Sequence, residues 1–196
     1  MTGAAVNPAS CAAFLVAAFT LAGVCQIAWL ALPMSRRLAI PLDGGRTFRG
    51  RRLFGANKTL RGFVIMVPGT GVAFALLARV VGGAASGVAG LWPVSPPDYA
   101  LLGMWAGFGF MLGELPNSFV KRQLGVAPGQ AAEAGCARPL FGVLDRIDSI
   151  LGMLFALAIV VSIPWLTWAY VLIAGPLLHA SFSLLLFQLG GKARAE

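Results

Sequence analysis

Long, predominantly apolar stretches alternate with short polar ones along this chain. The first three apolar stretches cover residues 8–32, 62–82 and 99–116, and a fourth covers 149–189 with a break near Pro164. A helix needs about 20 apolar residues to cross the hydrocarbon core of a bilayer. The break at Pro164 divides the last stretch into spans 149–164 and 166–189, joined as a tight helical hairpin. The pattern predicts an all-α polytopic membrane protein with about five transmembrane helices.

Composition supports this class of protein. Hydrophobic residues make up 58% of the 196 residues and charged residues 11%, a balance that ordinary soluble domains do not have. A chain of this length has room for the spans and short loops, with none left for a separate soluble catalytic module. We therefore expect one integral membrane domain, 1–196, with its polar functional loops at 33–61 and 117–148.

The formal net charge of +8 is concentrated between the spans. Most Lys and Arg residues lie in segments 33–61 and 117–148 or near the C-terminus, which all fall on one side of a five-span protein. The positive-inside rule places that side in the cytoplasm, so we expect the N-terminus outside and the C-terminus in the cytoplasm of a multi-pass cell-membrane protein. The basic residues form no solvated stripe with interleaved aromatic residues, so no nucleic acid is expected as a partner.

Four glycines in the third span, Gly103, Gly107, Gly109 and Gly113, repeat at a spacing of four residues in two pairs. Small residues at this spacing allow helices to approach closely in a membrane. Two uses stay open at this point, namely close packing inside the monomer and a homodimer interface.

The first polar loop contains Asp43-Gly-Gly-Arg46-Thr47 and, further on, Asn57-Lys58-Thr59-Leu-Arg61-Gly62. Glycines beside Lys and Thr at the start of a helix are a plausible cradle for phosphate groups. The glycine spacing differs from that of a Walker A loop. The alternative is that these cations only set the orientation of the chain in the membrane.

The second polar segment brings together two helical faces. Spacings of three, four and seven residues place four side chains on one face: Glu114, Asn117, Ser118 and Lys121. Asp145 and Asp148 are three residues apart and share another face. Both faces lie at the cytoplasmic ends of spans three and four, so they are expected to converge on one site facing the cytoplasm.

Carboxylates of this kind suit Mg²⁺, which prefers oxygen ligands and is usually held by one or two carboxylates plus substrate phosphates. Three cations nearby, Lys121, Arg122 and Arg146, would neutralise phosphate oxygens. The alternative is charge pairing between helix ends at the membrane interface.

The combination Ser118-x-x-Lys121-Arg122 with Asp145-Arg146-Ile-Asp148 resembles the signature of the CTP:phosphatidate cytidylyltransferase (CDP-diacylglycerol synthase) superfamily. The small size, the number of spans and the two first-loop segments are similar to its short branch, the CDP-archaeol synthases. The resemblance covers most of the chain from residue 43 to about residue 152. Glu114 stands where an aspartate is expected in this family.

The resemblance implies a magnesium-dependent membrane nucleotidyltransferase of phospholipid biosynthesis. A lipid phosphate, either an unsaturated diether glycerol phosphate or a phosphatidate-like lipid, would react with CTP to give a CDP-lipid and pyrophosphate. The implied catalytic residues are Asp145, Asp148, Lys121 and Ser118, and the implied metal ligands are Asp145, Asp148 and Glu114. The implied CTP-binding and substrate-binding residues are Asp43, Arg46, Thr47, Lys58, Thr59, Arg61, Asn117, Arg122 and Arg146.

Two other functions are weighed against this one. A small transporter would carry ionisable residues near the middle of its spans, whereas here they gather at the cytoplasmic ends. A catalytically inactive family member with a scaffolding role is the other alternative, motivated by Glu114. The Asp-Gly-x-x-Ala-Arg element of CDP-alcohol phosphotransferases is absent from the sequence.

Overall fold

Five α-helices make up most of the structure. The computed structural model describes residues 6–82, 90–127 and 137–188, with side chains from 141 to 178 in the last range. The helices are α1 (Pro8–Ala31), α2 (Leu60–Gly82), α3 (Pro96–Gln123), α4 (Ala137–Val160) and α5 (Trp165–Gln188). The predicted, predominantly helical fold is confirmed. Residues 128–136 and 189–196, which belong to the second loop, the last span and the C-terminal basic end as predicted above, lie outside the described residues.

Local sequence explains where several helices begin. Asn7 caps α1 through its side chain, which accepts hydrogen bonds from the backbone N–H groups of Ala9 and Ser10 at 3.0 Å. Ser95 and Asp98 form a reciprocal capping box at the start of α3. Helix α4 ends at Val160 and α5 begins at Trp165, so the break near Pro164 is present.

The helices on either side of the second polar segment extend beyond the predicted spans. Helix α3 continues to Gln123, and α4 already begins at Ala137. Parts of the segment 117–148, predicted as a loop, are therefore helical. The site residues of this segment consequently stand on rigid helices.

The five helices form a closed ring. Each of α1 to α4 packs against the next helix in the chain, and α5 returns to α1. Helix α3 makes its most extensive contacts with α2 on one side and with α4 on the other. The two helices that carry the predicted polar faces, α3 and α4, are thus direct neighbours.

A hydrophobic core fills one end of this ring. Its largest fully buried side chains include Tyr99, Phe74, Leu15 and Leu157, which come from four different helices. Phe14 contacts Phe74, Trp92 and Tyr99 with ring centroids 5.0 to 6.5 Å apart. The indole of Trp92 donates to the carbonyl of Ser162 at 3.0 Å, which ties the segments before α3 and after α4 together. We call this region the filled end.

The glycines of α3 serve two contacts inside the chain. A Cβ on Gly103 would lie 2.5 Å from the carbonyl oxygen of Thr70 on α2. A Cβ on Gly113 would lie 2.4 Å from the carbonyl oxygen of Asp148 and 2.9 Å from the Cα of Gly152, both on α4. Real Cβ atoms are not found this close, so these helices approach to a distance that only glycine permits.

The first polar loop folds into a small hairpin between α1 and α2. A short 3₁₀ helix (Pro33–Leu38) leads into it, and strands β1 (Thr47–Phe48) and β2 (Arg51–Arg52) pair antiparallel. Arg49 and Gly50 form the turn with φ values of 51° and 77°. Positive φ at both central residues is typical of the type I′ turn, whose twist matches that of paired strands. The pattern of apolar and polar residues does not predict this hairpin.

Among the described residues, helices α1 and α2 are long and apolar enough to cross a membrane. Both contain more than 20 residues, namely 24 and 23. The apolar part of α5 that the structure describes, Trp165–Leu178, is shorter.

Candidate active site

The predicted polar faces of α3 and α4 meet at the end of the ring opposite the core. The amide nitrogen of Asn117 donates to Oδ1 of Asp145 at 2.6 Å and to Oδ2 of Asp148 at 2.9 Å. Lys121, one turn further along α3, forms an ion pair with Asp145. One helical face therefore holds both carboxylates of the other, as the spacing predicted. We call these four side chains the aspartate cluster.

Two further residues extend the aspartate cluster toward the first loop. The hydroxyl of Ser149 donates to Oε1 of Glu114 at 2.9 Å and approaches Oδ1 of Asp148 at 3.2 Å. The other carboxylate oxygen of Glu114 is paired with Lys58, which comes from the segment before α2. Glu114 thus connects the second polar segment with the first polar loop.

The two aspartates occupy different electrostatic environments. The Asp145 side chain is 47% exposed, and the Lys121 side chain that pairs with it is 11% exposed. Burial raises the pKa of Asp148 above the usual range of a carboxyl group, and the charge of Glu114 raises it further, although the hydrogen bond from Asn117 opposes this. Asp148 is therefore the carboxyl of the pair that would gain most from a nearby cation.

Asp43, predicted to bind substrate, lies inside the hairpin loop. Its side chain is fully buried, and its two oxygens accept hydrogen bonds from the backbone N–H groups of Gly45, Phe54 and Gly55 at 3.0 to 3.2 Å. Arg52 donates to both oxygens as well. Burial alone would raise the pKa of Asp43, but these donors outweigh it and hold the pKa well below its usual range. The geometry makes this carboxylate the internal anchor of the hairpin loop.

The hairpin rests on the end of α3. Arg51 donates to the carbonyl of Gln123, and the side chain of Gln123 donates back to the carbonyl of Arg52 at 3.4 Å. The rings of Phe48 and Phe119 lie 6.0 Å apart between centroids. The hairpin is thereby fixed beside the helix that carries Glu114, Asn117 and Lys121.

A cavity of about 370 Å³ lies inside the ring below the hydrophobic core. Its walls are apolar side chains of all five helices, among them Leu15, Phe110, Met153 and Val171. Its polar end is lined by four site residues: Glu114, Asp145, Arg146 and Ser149. An apolar chamber that ends at charged groups has the form expected for a binding site of an amphiphile.

A second cavity of about 130 Å³ lies between the first loop and the adjoining ends of α1 and α3. Lys58, Thr59, Arg61 and Asn57 line it. These are the residues of the predicted phosphate cradle. Two described residues, Gln26 and Glu114, line both cavities.

The remaining predicted site residues make no hydrogen bond or ion pair with the aspartate cluster in the described chain. Arg46 and Thr47 are exposed on the hairpin loop. Ser118 and Arg122 are buried on α3 and line neither of the two cavities. The Nε and Nη1 atoms of Arg122 are buried and have no hydrogen-bond partner in the described chain, and burial lowers the pKa of Arg122. Arg146 donates to the carbonyl of Gly142 at 2.8 Å and faces the larger cavity.

The side chains of the site supply only some of the ligands that a metal ion needs. In the part of the chain that the structure describes, no group of three or more His, Cys, Asp or Glu side chains is placed to hold a metal ion. The predicted third ligand, Glu114, is instead engaged by Lys58 and Ser149. Asp145 and Asp148 share the amide of Asn117, whose own Oδ1 is buried without a partner. Two carboxylates and one free amide oxygen fit a hard cation that takes its other ligands from substrate phosphates and water.

Sequence reasoning missed Ser149 and Gln26. Ser149 directly follows Asp148, and its position facing Glu114 depends on how α4 rotates against α3. Gln26 is a primary amide within an otherwise apolar helix without charged residues, and this was a readable signal.

The chain is similar to known sequences along most of its length. The family model described as "CarS-like: CDP-archaeol synthase" matches residues 37–194. A CDP-archaeol synthase of Halorubrum lacusprofundi is 34% identical over 160 residues, which cover 78% of this chain and 81% of that protein. One from Methanosphaerula palustris is 34% identical over 161 residues, with 78% and 87% covered. One from Halobacterium salinarum is 37% identical over 122 residues, with 62% and 60% covered.

The fold is also similar to that of a solved protein, described as an intramembrane enzyme for archaeal membrane lipids biosynthesis. The two structures align with a TM-score of 0.58 over 84% of this chain and 91% of that one. Their sequences are 24% identical, so this likeness supports the arrangement of the helices alone.

Proposed function

The chain belongs to the CDP-archaeol synthase family, and on this premise we propose how its residues divide the work. It is a CTP-dependent cytidylyltransferase that makes a CDP-lipid for membrane lipid biosynthesis. A phosphate oxygen of the lipid attacks the α-phosphorus of CTP, the bond from that phosphorus to the bridging oxygen breaks, and pyrophosphate leaves. The observation that carries the proposal is the apolar cavity whose polar end is formed by Glu114, Asp145, Arg146 and Ser149.

Phosphoryl-type transfer asks the protein mainly for positioning and for neutralisation of charge. In our proposal Lys121 and Arg146 neutralise phosphate oxygens, and the hydrogen bonds from Asn117 and Ser149 hold the carboxylates in place. Ser118 is buried away from both cavities, so we assign it to packing of α3 near the aspartate cluster. No covalent intermediate on the protein is needed for this chemistry.

The family is generally metal-dependent, and we propose that the ion is Mg²⁺. Asp145 and Asp148 would hold it, with phosphate oxygens completing the coordination. When bound, it would supply charge stabilisation for the attacking and leaving oxygens. Glu114 would then act through Lys58 and Ser149 and not as a direct ligand.

The smaller cavity is the proposed place of the CTP triphosphate. Lys58 and Arg61 provide positive charge, Thr59 a hydroxyl and Asn57 an amide. The exposed Arg46 and Thr47 of the hairpin loop would contact the outer part of the nucleotide, and Asp43 would keep that loop in shape. The Nε and Nη1 atoms of Arg122 have no partner among the described residues, and we propose that Arg122 adds positive charge near Lys121.

The larger cavity is the proposed place of the lipid. Its apolar walls suit hydrocarbon tails, and its polar end would place the phosphate beside Asp145 and Arg146. Family membership favours an unsaturated diether glycerol phosphate over a phosphatidate as the substrate. Tail chemistry alone does not separate these lipids, because both present bulk hydrocarbon to the walls.

The protein is a membrane protein, and we propose that it is a multi-pass protein of the cell membrane with five spans, the N-terminus outside and the site facing the cytoplasm. The basic first loop and the cations of α3 and α4 at one end of the ring support this orientation. A homodimer stays a prediction, and the glycines of α3 do not support it because they pack against α2 and α4.

Purified protein with Mg²⁺ and labelled CTP is expected to convert the diether lipid phosphate into a labelled CDP-lipid, with a phosphatidic acid reaction run in parallel. Asp145→Asn and Lys121→Ala should each reduce the rate to background, because they remove a carboxylate charge and its partner from the site. Asp98→Asn and Arg79→Ala, which change an acid and a cation outside the site, should retain activity. Background turnover of the wild-type protein with both lipids would refute the proposed function.

A further inference from the structure

Gln26 is the primary amide of α1, and among the described residues it has no hydrogen-bond partner. The helix contains no charged residue, Thr20 donates to the carbonyl of Val16 at 2.7 Å, and the indole N–H of Trp29 is buried without a partner in the described chain. The side chain of Gln26 makes no hydrogen bond within the described chain. The residue is partly exposed and lines a cavity, so its amide can donate hydrogen bonds to a ligand that enters there.

The position of Gln26 agrees with this indication. It lines the large apolar cavity and also the small basic cavity, a property that it shares with Glu114. Glu114 already accepts hydrogen bonds from Lys58 and Ser149, whereas the two N–H donors of Gln26 have no acceptor among the residues that the structure describes. Gln26 is therefore the uncommitted donor at the junction where a group from one cavity would meet a group from the other.

The charged residues that line the two cavities indicate that the ligand contains a phosphate. Lys58 and Arg61 supply cations to the small cavity. The polar end of the large cavity has one cation, Arg146, and two carboxylates, Glu114 and Asp145. A phosphate there needs a further donor on the side of α1. A lysine or arginine in the middle of an apolar helix costs about 3 kcal/mol at insertion, while a neutral amide donates without that charge penalty.

We propose that Gln26 binds the phosphate of the lipid substrate through its amide N–H groups and sets how deeply that substrate sits in the large cavity. This inference rests on the proposed function, because it assigns the lipid to that cavity. Gln26 is a positioning residue for the attacking phosphate, placed on the opposite wall from the aspartate cluster.

The test compares steady-state kinetics of Gln26→Leu and Gln26→Asn with Cys25→Ala, a change at the preceding residue of α1, which is exposed and lines neither cavity. Gln26→Leu should raise the KM for unsaturated diether glycerol phosphate about tenfold while the KM for CTP stays within about twofold, because one hydrogen bond to a charged group is lost. Gln26→Asn should give a smaller increase, and Cys25→Ala should match the wild-type protein within about twofold.

An unchanged lipid KM in Gln26→Leu, or an increase in the CTP KM instead, would overturn the proposal. If both Gln26 variants fail to fold while Cys25→Ala folds, Gln26 is a structural residue and the proposal is equally wrong. Binding of the fluorescently labelled lipid phosphate without CTP separates this inference from the proposed function. Wild-type protein that binds this probe better than Gln26→Leu supports the assignment even without turnover, and equal binding of both contradicts it.

Discussion

The two ends of the helix ring use the same five helices for opposite purposes. At the filled end, the buried rings of Phe14, Phe74, Trp92 and Tyr99 pack against one another, and Ser95 and Asp98 cap the start of α3. At the other end the ring encloses a cavity of about 370 Å³ bordered by carboxylates. We call this the site end.

The difference shows how a small membrane protein can hold charged residues beside an open cavity. Apolar packing at the filled end and the glycine contacts of α3 hold the helices together, so the site end need not be packed. The carboxylates at the site end are held by hydrogen bonds from Asn117, Lys121 and Ser149 and stay beside an open cavity. The packing that stabilises the protein thus lies at the filled end, and the carboxylates of the proposed reaction lie at the site end.

The largest effects are expected from variants that add a methyl group at a glycine contact of α3, one near each end of the ring. Gly113→Ala would push α3 away from the backbone of Asp148 and Gly152, and Gly103→Ala would push it away from Thr70 on α2. Both should lower thermal stability, by about 1–3 kcal/mol each, because the clashing atoms are backbone. Turnover should fall about 100-fold in Gly113→Ala, because a shift of about 1 Å misplaces the reacting groups.

Gly103→Ala should keep a turnover within about threefold of the wild-type protein at a temperature where both are folded. Gly23→Ala is the control, since a Cβ at this position meets no atom within 4 Å. Equal losses of turnover in Gly103→Ala and Gly113→Ala would show that the two ends are mechanically coupled.

A smaller effect on turnover is expected from removing one carboxylate at each end. Asp43→Ala leaves the N–H groups of Gly45, Phe54 and Gly55 without their acceptor, which costs about 1–3 kcal/mol for each group that stays buried and unpaired. The hairpin loop should loosen, with an increase in the KM for CTP and faster proteolysis within residues 41–59. Asp98→Ala removes a cap at the filled end and should cost about 1 kcal/mol of stability without changing either KM. Asp43→Ala with an unchanged CTP KM would contradict the anchoring role.

The smallest effect is a difference in pH dependence between Asp43 and Asp148. The folded-state pKa of Asp43 lies below that of the unfolded chain, so its contribution to stability is complete above the ordinary Asp range and is lost as the pH falls below it. The folded-state pKa of Asp148 is raised, so in metal-free protein stability falls as the pH rises from the ordinary Asp range through that raised pKa.

Thermal unfolding in EDTA, measured from pH 4 to pH 8, tests this contrast. Asp148→Asn should remove the loss of stability with rising pH, because the residue no longer ionises. Asp43→Asn should instead lower stability across that whole range. A wild-type pH profile that Asp148→Asn leaves unaltered would mean that burial does not raise the pKa of this carboxyl.

Much of the fold was predictable because the apolar stretches have the length of a membrane span and because Pro164 interrupts the last one. The convergence of Asn117 and Lys121 with Asp145 and Asp148 followed from helical spacing together with the adjacency of two spans. The hairpin was not predictable from periodicity, because strands of two residues are too short for a pattern. The sequence predicts Asp43 as a substrate-binding residue, and the backbone donors that surround its carboxylate cannot be read from a sequence.

Hydrophobic length, helical period and family motifs are properties of consecutive residues, and these already contained the membrane helices, the two polar segments and the class of reaction. Only the tertiary structure decided that Glu114 pairs with Lys58 and Ser149, that Asp43 faces inward, and that Gln26 borders both cavities. Those facts depend on how each helix is rotated about its axis and how closely it approaches its neighbours. Glycine contacts between α3, α2 and α4 allow the close approach of these three helices, and they join residues far apart in the chain.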